Sequence, residues 1–249
     1  MSREKATLRY HLYQWLWVGF DLIFPPHCAG CGCTGTHWCQ SCQSETVLFS
    51  EPLCEICGSP QPEQGVCPVC RINPPYYDRA FSFAAYDTPL RKAIIRLKYH
   101  GDGGLGEKLS FFLLHLIRSR NLEFDLVVPV PLGKKRLKER GYNQSSFLAR
   151  PISLYYGLCY VPGAIQRIRE TRSQVGLDSE SRRANVKDAF AAQARWVQGR
   201  SVLLVDDVFT TGSTIAACAK ALKESGAHKV FGLTLARAAG PQGDLLDPV

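Results

Sequence analysis

The chain has 249 residues, a formal net charge of +8 and 45% hydrophobic residues. That content suits a folded protein with a buried core and excludes a disordered or low-complexity chain. The length allows one large domain or two small ones, and the positive charge favours anionic partners without indicating a fold.

Residues 12–24, LYQWLWVGFDLIF, follow the basic residues Arg3, Lys5 and Arg9. The run is broken by Gln14 and Asp21 and is too short to cross a bilayer. It ends in Pro25-Pro26-His27 rather than at a small-residue cleavage site. Residues 1–25 therefore read as an amphipathic helix whose apolar side chains, Leu8, Leu12, Trp15, Leu16, Leu22 and Ile23, pack on the body of the protein. A surface for a partner or a membrane is the alternative. With no export signal or spanning segment, the expected location is the cytoplasm.

Nine of the eleven cysteines fall between residues 28 and 70. Eight form four C-x-x-C pairs: Cys28/Cys31, Cys39/Cys42, Cys54/Cys57 and Cys67/Cys70. Each C-x-x-C turn aims two thiolates at one point, so two turns supply the tetrahedral sulfur set that zinc prefers. Seven residues separate the first two pairs and nine the last two, which closes each quartet into a compact knuckle and hairpin. The spacing points to two structural Zn²⁺ sites in a double zinc ribbon over residues 26–75. Disulfides would need an oxidising compartment, and an iron–sulfur cluster fits two balanced quartets less well. Pairing first with second and third with fourth is the simplest arrangement, and sharing across the ribbons is the other. Cys33 is left over, and His27 and His37 lie close enough in sequence to replace a ligand. Cys159 and Cys218 sit among apolar residues and are expected to be buried. So small a module folds because the metal substitutes for a core, which makes its first role that of a scaffold.

Pro74-Pro75 closes the cysteine region. Beyond it, residues 80–86 read as a strand and 90–100 as a helix with Ile94, Ile95 and Leu97 inward. A GDGG break precedes a helix around 105–120, a strand at 124–130, a helix near 143–157 and a polar, basic stretch at 166–187. A continuous apolar strand (201–207), a helix (214–226) and a strand (229–237) complete the pattern. Strands alternating with helices predict a mainly parallel α/β sheet over residues 76–249.

Residues 202–214, VLLVDDVFTTGST, carry the strongest chemical signal. The run VLLV lacks alternation, as in a strand covered on both faces, and ligands of such sheets bind beyond the carboxyl ends of the strands. Asp206 and Asp207 stand at that end, and Thr210, Thr211, Gly212, Ser213 and Thr214 turn into the next helix. Hydroxyls and backbone N–H groups at a helix start make an anion site. The lysine of a nucleoside-triphosphate loop is missing. Acids beside an anion cradle are reconciled by a ligand with a monophosphate at one end and a vicinal diol at the other, such as a ribose 5-phosphate unit. A capped helix after a buried strand would not need both acids.

This stretch resembles the phosphoribosyl-pyrophosphate (PRPP) signature of type I phosphoribosyltransferases. The cysteine pairs, LRKAIIRLKYHGD (90–102), VVPVPLGKKRLKERGYNQSSFLAR (127–150), TRSQVGLDSESRRANVKDAF (171–190) and this loop follow the order of the ComF/GntX family from about residue 24 onward. The resemblance implies an α/β fold of the type I phosphoribosyltransferase-like class, a parallel sheet flanked by helices and preceded by a small N-terminal zinc-ribbon domain. It implies PRPP with Mg²⁺, catalytic Asp206 and Asp207 on the ribose diol, and the 5-phosphate on Thr210, Thr211, Gly212, Ser213 and Thr214. Val130 and Pro131 resemble the turn whose backbone amides hold pyrophosphate. Residues 169–185 resemble the hood that closes over PRPP, with Arg169, Arg172, Arg182 and Arg183 available to neutralise pyrophosphate, and Arg167 and Lys187 flanking it.

GKKRLKERG (133–141) holds five basic residues against one acid and is followed by Tyr142. Lys134, Lys135, Arg136, Lys138 and Arg140 beside Tyr142 suit a single-stranded phosphate backbone with one stacked base. A solvated loop and helix start fit the charge equally, as does a place for Arg140 and Asn143 in the PRPP site itself. The resemblance favours single-stranded DNA, because the family is tied to DNA uptake in natural transformation. It adds a competence helicase or a membrane channel component as partners, and the periphery of the inner membrane as a place of action. Two functions are implied: a phosphoribosyltransferase with an unknown acceptor, or a non-catalytic, PRPP-sensing adaptor for DNA or a helicase.

Overall fold

The structure, a computed structural model, describes residues 6–169 and 188–238. Helix α1 (Leu8–Ile23) comes first, with the Thr7 hydroxyl accepting from the Tyr10 N–H as its N-cap. Two short helices, α2 (Gln40–Ser44) and α3 (Pro68–Ile72), each start from a cysteine of the C-x-x-C pairs. There follow β1 (Arg79–Ala85), α4 (Leu90–His100), α5 (Gly103–Ser119), β2 (Leu126–Pro129), α6 (Lys134–Arg140) and α7 (Gln144–Tyr156). The strands β3 (Cys159–Tyr160), β4 (Ile165–Arg167) and β5 (Phe190–Ala192) lead to α8 (Ala194–Val197), β6 (Ser201–Phe209), α9 (Ser213–Glu224) and β7 (Lys229–Arg237).

Five strands pair in parallel in the order β1-β7-β6-β2-β3, and β4 pairs antiparallel with β5 in a separate ribbon. Strand β6 takes the centre because Val202, Leu203, Leu204 and Val205 can be shielded on both faces, and all four are fully buried. The Gly101-Asp102 pair separates two helices. Gly101 adopts φ +63° and ends α4, and the Asp102 carboxylate accepts from the Leu105 N–H at 2.9 Å to start α5.

The two faces of the sheet carry different layers. On one, Leu97 of α4, Leu105 and Leu113 of α5 and Leu148 of α7 pack on Leu203 and Val205. On the other, Ile165 of β4 and Ile215 and Leu222 of α9 pack on Val202 and Leu204. Each such leucine contributes on the order of 2 kcal/mol by leaving water. The cysteine modules divide in the same way. Cys28, Trp38 and Cys42 join the first layer, and Cys54, Cys57, Cys67 and Cys70 join the second. The two ribbons therefore sit on opposite faces of one sheet.

A parallel sheet flanked by helices, with the cysteine ribbons ahead of it, is the architecture expected from the sequence. Several details differ. Ile95 is exposed, because Leu90, Ala93, Ile94 and Leu97 already fill the buried side of a 3.6-residue turn. Cys159 is exposed on the edge strand β3, whereas Cys218 is fully buried. The GKKRLKERG segment is helical over α6. The largest difference concerns α1, whose residues Leu8, Leu12, Trp15, Leu16, Leu22 and Ile23 all face solvent. The opposite side meets the body: Gln14 donates to Glu107 at 3.1 Å, Asp21 pairs with His37 at 3.0 Å, and Arg150 lies 5.9 Å from the Tyr13 ring. Polar groups on that side find partners on α5, α7 and the first ribbon, and this fixes which face turns inward.

Candidate functional site

Strand β6 continues to Phe209, so Asp206 and Asp207 lie within it rather than at its end. Both are buried. The Ser145 hydroxyl, at the start of α7, donates to Asp206 Oδ1 at 2.9 Å, and the Asp207 N–H donates to the same oxygen at 2.9 Å. Burial, and next the charge of Asp207, push the Asp206 carboxyl up to about 7. Asp207 Oδ2 forms an ion pair with Lys98 Nζ of α4 at 2.8 Å. Burial weakens the hold of Lys98 on its proton, but the Asp207 carboxylate outweighs this and raises its pKa. Ser145 and Lys98 are site residues that motif reading misses. The available signal for Lys98 was its place four residues after Ile94, on the inward side of α4.

Past the acids, the chain turns into α9 through Thr210, Thr211 and Gly212. Gly212 is the N-cap residue at φ +73°, and a Cβ there would lie 2.3 Å from the Phe209 ring, so this turn needs glycine. The Thr211 and Ser213 hydroxyls lie 2.6 Å apart. The turn thus gathers hydroxyls at the positive end of a helix of 12 residues, the setting in which a phosphate is bound. Thr214 occupies the first turn of the same helix.

The turn after β2 is tied to the acids. Val130 donates its N–H to the Val205 carbonyl at 2.9 Å and accepts from Asn143 Nδ2 at 2.9 Å. Asn143 Oδ1 in turn accepts from the Ser145 N–H at 3.1 Å, which aims Ser145 at Asp206. Pro131 follows Val130, half-buried. Val130, Asn143, Ser145 and Asp206 therefore form one chain of hydrogen bonds.

The basic segment divides. Lys134, Lys135 and Lys138 project from α6 into solvent, and Arg136 is half-buried. Arg140 donates to Gln144 Oε1 at 2.5 Å and lies 5.4 Å from the Tyr99 ring. Tyr142 accepts from the Gly101 N–H at 2.7 Å and packs on Phe147, so it braces the α4–α5 turn. Arg169 is exposed after β4. Arg172, Arg182, Arg183 and Lys187, with most of the hood segment, lie outside the described residues.

The Sγ atoms of Cys54, Cys57, Cys67 and Cys70 all lie within 4.8 Å of one another, and all four residues are buried. Four thiols so placed fit a structural zinc ion. In the first module, Cys33 joins Cys28, Cys31 and Cys39 within the same 4.8 Å, and Cys42 Sγ lies 3.6 Å from Cys28 Sγ. Five thiols therefore converge where the pattern of pairs assigned four. His27 and His37 belong to neither cluster, and His37 is held between Asp21 and Asp102 at 3.0 and 3.1 Å. The second ribbon reaches the phosphate-type turn through Arg237 of β7, which donates to the Cys57 carbonyl and lies 4.0 Å over the Phe209 ring. A cavity of about 530 Å³ opens between them, lined by Cys57, Cys70, Pro75, Tyr77, Thr211 and Gly212 among others. A magnesium ion fits the acid pair poorly, because Asp206 Oδ1 is taken by two N–H or O–H donors and Asp207 already faces an ammonium group.

Residues 19–71 match the family model of the double zinc ribbon domain. DNA utilization protein YhgH of Escherichia coli O157:H7 is 37% identical over 202 residues, covering 78% of this chain and 88% of the relative. Competence protein F of Haemophilus influenzae is 32% identical over 208 residues, covering 80% and 90% of the two chains. Among solved structures, the glutamine PRPP amidotransferase of Bacillus subtilis superposes with a TM-score of 0.40 at 19% identity, over 57% of this chain and 30% of that one. By its ribbons, its order of motifs and these relatives, the chain belongs to the ComF/GntX family of competence-associated proteins.

Proposed function

We propose that the chain binds PRPP and acts in the handling of incoming DNA. The observation that carries the reading is the acid pair Asp206/Asp207 followed within one turn by the hydroxyl-rich start of α9. One ligand satisfies both: its 5-phosphate meets the N–H and hydroxyl groups of residues 210–214, and its ribose diol donates to the carboxylates. Asp207 Oδ2 faces the Lys98 ammonium group at 2.8 Å, and the carboxylate keeps lone pairs that a sugar hydroxyl can use. The Val130 N–H is given to Val205 and Pro131 has no N–H, so this turn offers the pyrophosphate no backbone donor, and its charge would fall to Arg169 at the start of the hood segment. Displacement at the anomeric carbon then needs a held donor, a neutralised leaving group and exclusion of water, and no nucleophilic side chain.

The relatives' names, DNA utilization and competence, support the DNA role. Lys134, Lys135 and Lys138 on the solvent side of α6 support contact with a single-stranded backbone in the cytoplasm. The outward apolar face of α1 supports peripheral attachment to a membrane surface. No helix among the described residues is long and apolar enough to cross a membrane.

The test is equilibrium binding of PRPP to zinc-loaded protein, followed by pyrophosphate release with single-stranded DNA and nucleobases as acceptors. Binding that is lost in Asp206→Ala/Asp207→Ala supports the site. Release stimulated by one acceptor makes the protein a transferase, whereas binding without turnover, with the double variant defective in transformation, makes it a ligand-sensing adaptor. Absence of PRPP binding refutes both.

A further inference from the structure

We propose that Lys98 takes the place of the divalent cation at this sugar-phosphate site, so that the chain binds PRPP without magnesium; this rests on the PRPP reading above. The argument begins with charge. Two adjacent carboxylates would ordinarily attract a metal ion, but here an internal cation is already seated on one of them, Lys98 Nζ at 2.8 Å from Asp207 Oδ2. The other, Asp206, has Oδ1 filled by the Ser145 hydroxyl and the Asp207 N–H. A carboxylate holding an ammonium group and a second one saturated at Oδ1 leave little negative charge for a doubly charged ion, which would also have to approach the ammonium.

The fold holds the lysine in this position. Lys98 lies in the last turn of α4, where the helix carbonyls favour a cation, and its side chain is three-quarters shielded from solvent. Ile94 and Leu97 of the same helix are fully buried, so α4 cannot rotate to withdraw Lys98 without exposing them. When a sugar phosphate occupies the site, the ammonium stands beside the ribose diol held by Asp207. Its remaining N–H donors would then be free for pyrophosphate oxygens, supplying the positive charge that a metal ion would otherwise supply. A lysine on a helix is a fixed charge, always present when the ligand arrives.

The inference is tested by PRPP calorimetry on the full zinc-loaded chain. The buffer is freed of divalent cations by resin, not by a chelator that would strip the ribbons, and titrations are repeated with magnesium added. Wild type should bind with affinities equal within about twofold in the two conditions, a difference of about 0.4 kcal/mol at most. Lys98→Met should bind at least about tenfold more weakly without magnesium and recover when it is added, whereas Lys98→Arg should keep magnesium-independent binding. Wild-type binding that requires magnesium overturns the role of Lys98 and leaves the PRPP reading standing, even if Lys98→Met fails to fold. Equal weakening of Lys98→Met in both conditions also overturns it, by making the residue merely structural. No PRPP binding in either condition removes the reading and the inference together.

Discussion

Asp206 offers a test that needs no ligand. Burial pushes its carboxyl from 3.8 to about 7. A rise of about three, at about 1.4 kcal/mol for each, means that ionising this group in the folded chain costs on the order of 4 kcal/mol. The folded state holds the proton more tightly than the unfolded state does. The contribution of this residue to stability is therefore greatest below about pH 4, declines as pH rises to about 7, and is level above that. Asp206→Asn keeps the size and stays uncharged, so it should be spared the decline. Between about pH 5 and about pH 8.5, the gap in unfolding free energy between the variant and wild type should widen in favour of the variant by roughly 3 kcal/mol. Denaturant titrations at a series of pH values, with zinc present and read by tryptophan fluorescence, measure that gap, and the titrating groups remote from Asp206 cancel in the difference. Parallel curves for the two proteins would refute the reasoning.

Metal analysis should give two zinc ions per chain. Cys54→Ser should lose one, and Cys33→Ser should keep both, since Cys42 still completes the first quartet with Cys28, Cys31 and Cys39. One ion in Cys33→Ser would assign the fifth thiol to the metal. Replacing Lys134, Lys135 and Lys138 with Ala should weaken single-stranded DNA binding and lower the salt slope by roughly 2, at about 0.7 per phosphate contact. An unchanged slope would detach α6 from DNA. Replacing Leu12, Trp15 and Leu16 with Ser should abolish sedimentation with anionic vesicles at little expense to folding, because all three already face water. Equal sedimentation of variant and wild type would return α1 to another role.

What the sequence made legible was local in the chain. VLLV followed by two acids and a Thr/Gly/Ser turn specifies a buried strand and a helix start from neighbouring residues alone, and C-x-x-C pairs specify thiol quartets in the same way. Residues that act across the fold stayed hidden. Ser145 reaches Asp206 from 61 residues away, and Lys98 reaches Asp207 from another helix, so neither belongs to a continuous motif. The faces of α1 show a different limit. Periodicity separates an apolar side from a side bearing Gln14 and Asp21, but only the partners Glu107 and His37 decide that the polar side turns inward. Counting pairs along the chain could not show that Cys33 comes within reach of the first quartet, because that proximity is a distance between sulfur atoms and not a spacing in sequence.

The central claim is that the acid pair and the turn into α9 serve opposite ends of one ligand. Calorimetric titration with ribose 5-phosphate, 2-deoxyribose 5-phosphate and inorganic phosphate tests it most directly, in wild type and in Asp207→Asn. Loss of one hydroxyl hydrogen bond to a carboxylate should weaken the deoxy sugar by roughly 1.5–3 kcal/mol, or about 10- to 150-fold, in wild type. In Asp207→Asn that preference should shrink while inorganic phosphate binds as before. Equal affinity of wild type for the two sugars would contradict the account, because the acids would then hold no diol.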